Sequence, residues 1–199
     1  MRSSYLKHYL VFAVTFMLYS CSSQPPIPQS KYYHFPEPEL KEVVRKNNIY
    51  DVIQVRRPVA RGIYNERAIL YVSESKPLAL RRYHYHFWAQ NPSSLIHRHI
   101  VRALQQAGAS NKVITKSGRQ DVDLIIGARI LRFEQIESAS HNKAYVSIEF
   151  TVQKDSVSNT FEFDAQVTAS NKSMHALVES FGKAADIVMH NFISSKLMD

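Results

Sequence analysis

Ala144-Tyr-Val-Ser-Ile-Glu-Phe-Thr-Val-Gln-Lys154, followed by Thr160-Phe-Glu-Phe-Asp-Ala-Gln-Val-Thr-Ala169, decides the fold class. In the first run Val146, Ile148, Phe150 and Val152 alternate with Tyr145, Ser147, Glu149 and Thr151. In the second, Phe161, Phe163, Ala165 and Val167 alternate with Glu162, Asp164 and Gln166. Strict alternation gives each strand one apolar and one polar face, the pattern of antiparallel neighbours with one side buried and one wet. A helix over Ser173 to Lys196 follows, with Leu177, Phe181, Ala184, Val188 and Phe192 as its apolar stripe.

Upstream lies a long strand, Asp123 to Glu137, and a short one, Val113 to Thr115. Before them Asn91-Pro92 starts a helix, since asparagine caps the free amides and proline suits the first helical position. Leu95, Ile96, His99, Ile100, Ala103, Leu104 and Ala107 share its apolar face, and Gly108 ends it. Further upstream, strands are expected at Tyr32 to Pro36, Ile49 to Arg56, Ala68 to Ser73 and Leu78 to Phe87. The last two flank a turn at Glu74 to Pro77, Pro58 to Glu66 is a loop, and Glu39 to Asn47 makes one or two helical turns. With no internal repeat, the order from Ile49 onward, β-β-β-α-β-β-β-β-α, implies an α+β fold: a mostly antiparallel sheet with two helices packed on one face.

The N-terminus carries a different signal. Arg2 and Lys7 precede an uncharged apolar run, Tyr9 to Tyr19. About 11 residues make roughly 16 Å of helix, too short to span a bilayer and typical of a signal-peptide core. The run ends in Leu18-Tyr19-Ser20-Cys21, which resembles a bacterial lipobox. That resemblance implies a diacylglyceryl group on the Cys21 thiol, cleavage after Ser20 and acylation of the new amine. Ser22, where aspartate would favour retention, implies the outer membrane. The alternative is an ordinary secretory signal with an incidental cysteine. The expected division is therefore 1–20 signal peptide, 21–30 lipidated cysteine and Pro-rich tether, and 31–199 a single α+β domain.

Removing residues 1–20 takes away Arg2 and Lys7 but no acid, so a net charge of +8 becomes +6 on 179 residues. An exported basic protein does not meet the genome, so no nucleic-acid partner is expected; anionic lipid or an acidic partner suits the charge. Cys21 is the sole cysteine, so no disulfide forms within the chain.

Arg61-Gly62-Ile63-Tyr64-Asn65-Glu66-Arg67-Ala68-Ile69-Leu70-Tyr71, the Trp88-Ala89 pair before the first helix, Tyr32-Tyr33 soon after the cysteine, and Asp121 to Phe133 form an ordered set. This order resembles the ABC-type transport auxiliary lipoproteins, a family that includes the paraquat-inducible system's lipoprotein. The resemblance implies a non-catalytic outer-membrane partner of an MCE-domain protein, within a transport system that moves lipid across the envelope. The chain departs from it at Arg56-Arg57-Pro58-Val59-Ala60-Arg61, where the family is more apolar and proline-rich. Rival readings are an assembly lipoprotein for a lipopolysaccharide-export barrel and an envelope hydrolase. Long strands with an exposed edge leave a homo-oligomer open.

Candidate sites are few. His84 and His86 share one face of a strand and would suit zinc, while His97 and His99 on a helix point about 200° apart. No acid lies near them, so neither a metal nor any other cofactor is expected. The Gly-x-Ser-x-Gly elbow is absent, and five scattered glycines make no phosphate loop, so no catalytic residue stands out. Two surfaces suit a partner or lipid. One is the aromatic run with Tyr83, Tyr85 and Phe87 on one strand face and Trp88 beside it, for which core packing is the alternative. The other is the loop with Arg56, Arg57 and Arg61, for which a plain solvated loop is the alternative.

Overall fold

A computed structural model describes residues 27–40, 50–116 and 121–197. Cys21, the signal peptide, most of the tether and the helical turns expected up to Asn47 lie outside the described residues. The fold is organised on β7 (Leu124–Glu137). Along one edge it pairs antiparallel with β8 (Asn142–Lys154) over its whole length, and β8 pairs in turn with β9 (Val157–Thr168). Along the other edge three shorter strands follow one another, all parallel to it: β2 (Tyr50–Val55), β3 (Val59–Ala60) and β4 (Ala68–Ser73). Beyond β2 lies β6 (Ser110–Ile114). Beyond β4 lie β5 (Lys76–Trp88) and then β1 (Lys31–Tyr33).

The α+β class stands, with a mixed sheet. The two long ladders and the β4–β5 hairpin are antiparallel; the other five pairings are parallel. Alternation with one wet face marks burial and not strand direction, which is why the parallel half is silent in the sequence. Both helices, α1 (Pro92–Gln106) and α2 (Met174–Lys196), lie on one face and share a core with the strands beneath. Phe150 of β8 stacks on Phe192 of α2 at 4.0 Å between ring centroids.

The helix ends follow from their residues. The Asn91 side chain accepts a hydrogen bond from the Ser94 amide (3.1 Å), and Ser173 accepts one from Ala176 (3.2 Å). Gly108 takes φ 62 and lets the Ala109 amide reach the Leu104 carbonyl at 3.1 Å, the left-handed stop expected there. The β4–β5 turn is tighter than expected. Ser73 pairs with Lys76, so Pro77 lies within a strand, on an outer edge that β1 does not reach and where its missing amide costs nothing.

Gly182 marks a close approach. A methyl group there would stand 2.8 Å from both Cβ and Cγ of Pro36. Gly182→Ala gains about 1 kcal/mol in helix propensity but has to push the rigid Pro36 ring aside, an overpacking cost of about 1–3 kcal/mol. The expected result is a lower thermal midpoint, read by calorimetry; a higher midpoint would mean that the Phe35–Pro36 segment gives way freely.

Candidate docking site

The three loop arginines do come together. Pro58 holds the chain extended, the Arg56 amide donates to the Ile126 carbonyl (2.8 Å), and Val59 pairs with Arg129. The loop therefore runs along β7, and Gly62, at φ 58, turns it away into a 3-10 turn at Gly62–Asn65. Between this loop and the strand face turned away from the helices is a groove of about 300 Å³. Arg56, Arg57, Val59 and Arg61 form one wall. Ile125, Gly127, Arg129, Glu149, Thr151 and Gln153 form the floor and the other wall.

The charges in the groove are unequal. Arg129 pairs with Glu149 at 2.9 Å, and Arg57 donates to Ser94 Oγ at 2.6 Å, which ties it to the first turn of α1. Among the described residues no acid pairs with Arg56 or Arg61. Four guanidinium groups thus face one carboxylate over an apolar strip of Val59 and Ile125. Such a surface suits an oxyanion, which arginine grips with paired, planar donors.

The two aromatic candidates separate. Trp88 is 1 % exposed, its ring packed on Phe35, Phe133 and Phe181 at 5.8, 5.4 and 5.2 Å, so it belongs to the core. Tyr85 is 44 % exposed and shares no surface with the arginine groove. The strict alternation read for this strand also fails. Between the pairs Leu70–Arg82 and Ala68–Phe87, β5 carries four residues where β4 has one. The excess rotates the strand, so Tyr83 and His86 meet edge to face at 5.4 Å instead of facing opposite sides. His86 Nδ1 lies 2.8 Å from the Tyr33 hydroxyl, and His84 is exposed, so the two histidines do not share a site. His97 Nε2 lies 3.3 Å from the Val55 carbonyl oxygen. Buried His99 lies 3.1 Å from Asp186, too poorly aligned for a hydrogen bond. Among the described residues no three histidine, cysteine or acidic side chains gather as a metal site would require.

Burial, and then the Lys31 charge, hold His86 below its ordinary value of 6.5. Its neutral ring therefore contributes fully above pH 6.5, and the contribution is lost as pH falls through the lower folded value. Thermal melts should show the wild type losing stability on the acid side of neutrality more than His86→Phe does. Equal slopes would remove His86 from the account.

A buried polar group under the loop escaped the sequence reading. Tyr64 of the 3-10 turn donates to Glu134, which also accepts from Arg132 Nε at 2.8 Å, while Arg132 lies over the Tyr145 ring. Burial, then the bond to Glu134, push the Tyr64 hydroxyl far above its usual range, so it stays a neutral donor. The sequence does contain a trace of it. Arg132 and Glu134 flank core Phe133, charged residues in the middle of a strand that contributes to the core, with Gln135 buried beside them.

Family comparison places this architecture. Residues 33–190 match the family model described as ABC-type transport auxiliary lipoprotein component. A Xanthomonas campestris protein described under DUF330 shares the fold at TM-score 0.69 with 19% identity, covering 84% of this chain and 95% of its own. An uncharacterized protein aligns at TM-score 0.66 with 11% identity, over 83% of this chain and 97% of its own. No curated protein matches the sequence significantly.

Proposed function

This chain belongs to the family of ABC-type transport auxiliary lipoprotein components, and from that premise we propose that it is the non-catalytic outer-membrane subunit of an MCE-type lipid-transport system. It works by tethering and recognition. Acyl chains on Cys21 hold it to the membrane, residues 22–30 give it reach, and the arginine groove grips an acidic surface of the MCE-domain protein. The observation that carries this reading is the groove itself: Arg56 and Arg61, without acidic partners among the described residues, beside an apolar strip, on the sheet face that the helices leave open. Among the described residues no helix is long and apolar enough to cross a membrane, which suits attachment by lipid.

The test is loss of the protein. Without it, the MCE-domain protein should no longer co-fractionate with the outer membrane; unchanged co-fractionation would sink the reading. Reversing both free charges, Arg56→Glu with Arg61→Glu, should weaken the purified pair by roughly tenfold or more, since arginine truncations at interface centres commonly cost over 1 kcal/mol. The wild-type affinity should also fall as salt rises. Titration calorimetry at two salt concentrations reads both effects.

A further inference from the structure

We infer that the β4–β5 hairpin tip, centred on Leu78, is a membrane-contacting element that inserts among anionic lipid head groups beside the acyl anchor. The inference rests on the anchored reading above and adds which end of the domain touches the bilayer. Tyr71 pairs with Arg81 and Ser73 with Lys76, so Pro77, Leu78, Ala79 and Leu80 all stand opposite Val72 alone. An excess of three residues has to leave the ladder. Leu78 at the crest is 100 % exposed, the extreme among the large apolar side chains described. Lys76 and Arg81, both exposed, flank it, and no acid among the described residues pairs with either. Glu74 on the turn and Glu137 at the end of β7 are the nearby acids. A lone leucine held out between cations gains nothing in water. At a membrane it loses apolar surface to lipid while the cations meet phosphates.

The path of the chain brings the anchor to this end. β1 runs parallel to β5, with Lys31 opposite His86 and Tyr33 opposite Trp88, so the chain enters β1 from the side of the β4–β5 turn. From the Ala68–Phe87 pair to the Ser73–Lys76 pair, β4 advances five residues, roughly 17 Å at strand spacing. Cys21 precedes Lys31 by ten residues, which reach at most about 35 Å. The lipid on Cys21 can therefore lie level with Leu78 or beyond it. Ile27, within the tether, is 88 % exposed and adds apolar surface on the same path. The arginine groove is clear of this end: Arg129 precedes Glu137 by eight residues of β7, roughly 26 Å along the strand. A domain standing on its β4–β5 tip keeps that groove free for a partner.

The experiment uses the full lipidated chain carrying Leu78→Cys. Acylation consumes the Cys21 thiol, so an environment-sensitive fluorophore attaches at 78 alone. In vesicles of phosphatidylethanolamine and phosphatidylglycerol its emission should shift to the blue and be quenched by head-group-labelled lipid. The same label at Val59→Cys, in the groove, should remain aqueous, and adding Lys76→Glu with Arg81→Glu should reduce the shift at 78. If the protein floats with its vesicles and Cys21 carries acyl mass, yet the label at 78 behaves like that at 59, the tip inference is overturned and the anchor survives. A label shielded only after a protein partner is added overturns it as well. Absence of acyl mass on Cys21 overturns the anchored reading and the tip together.

Discussion

Cys21→Ser should leave the protein in the soluble periplasmic fraction, with no acyl mass on its N-terminal peptide. The effect is close to complete because the rest of the molecule offers little to hold it. Each buried methylene contributes about 0.8 kcal/mol, so several acyl chains bind far more firmly than one exposed leucine or a few arginines. Serine has no thiol to receive the diacylglyceryl group. The domain should still fold, since Cys21 stands ten residues before Lys31, the first residue of β1. Fractionation with circular dichroism checks both halves: folded but released supports the account. A Cys21→Ser protein that stays in the outer membrane would show that another element is the anchor.

The second large effect is on stability. Trp88→Ala removes a ring that is 1 % exposed and packed on Phe35, Phe133 and Phe181. Truncating such a ring leaves a cavity that costs about 3–5 kcal/mol, against a total of only about 5–15 kcal/mol for an ordinary domain. At roughly 2–4 °C per kcal/mol for a domain of this length, the midpoint should drop by about 10 °C. Tyr85→Ala, three residues earlier on an exposed site, should move it by less than about 0.5 kcal/mol. Calorimetry on the pair decides between core and surface for each. Similar small losses at both positions would mean that Trp88 is not the keystone of the aromatic cluster.

The two positions also show where sequence reading succeeds and where it stops. The helices were legible to the cap, because Asn91, Ser173 and Gly108 act through their immediate neighbours. The β8–β9 pair was legible because its two faces differ, and β7 was legible only as a long strand. β5 was not, because residues in excess of the ladder break the period of two, and nothing in Arg82-Tyr83-His84-Tyr85-His86-Phe87 announces where the extra residues fall. The parallel pairing of β2, β3 and β4 along β7 was hidden for a related reason, since non-local partners leave no local pattern. Half of the groove was visible as Arg56, Arg57 and Arg61. Its other half, Arg129 with Glu149, comes from strands more than sixty residues away, and only the register of β3 on β7 brings it there.

The same register gives the account its shape. Anchored at Cys21 and standing on its β4–β5 tip, the chain would hold the arginine groove further along β7, roughly 26 Å from Glu137. On the proposed reading, anchor and grip would be separate devices on one sheet, and each could be broken without the other. Cys21→Ser should abolish attachment and spare partner binding. The Arg56→Glu, Arg61→Glu pair should spare attachment and weaken binding by roughly tenfold or more.

Affinity purification of the lipidated protein from detergent-solubilised envelopes, with its partners identified by mass spectrometry, shows directly what the arginine groove recruits. An MCE-domain protein should be recovered with the wild type and lost with Arg56→Glu, Arg61→Glu while that variant remains in the outer membrane. Recovery of an outer-membrane β-barrel with no MCE-domain protein would contradict the proposed function.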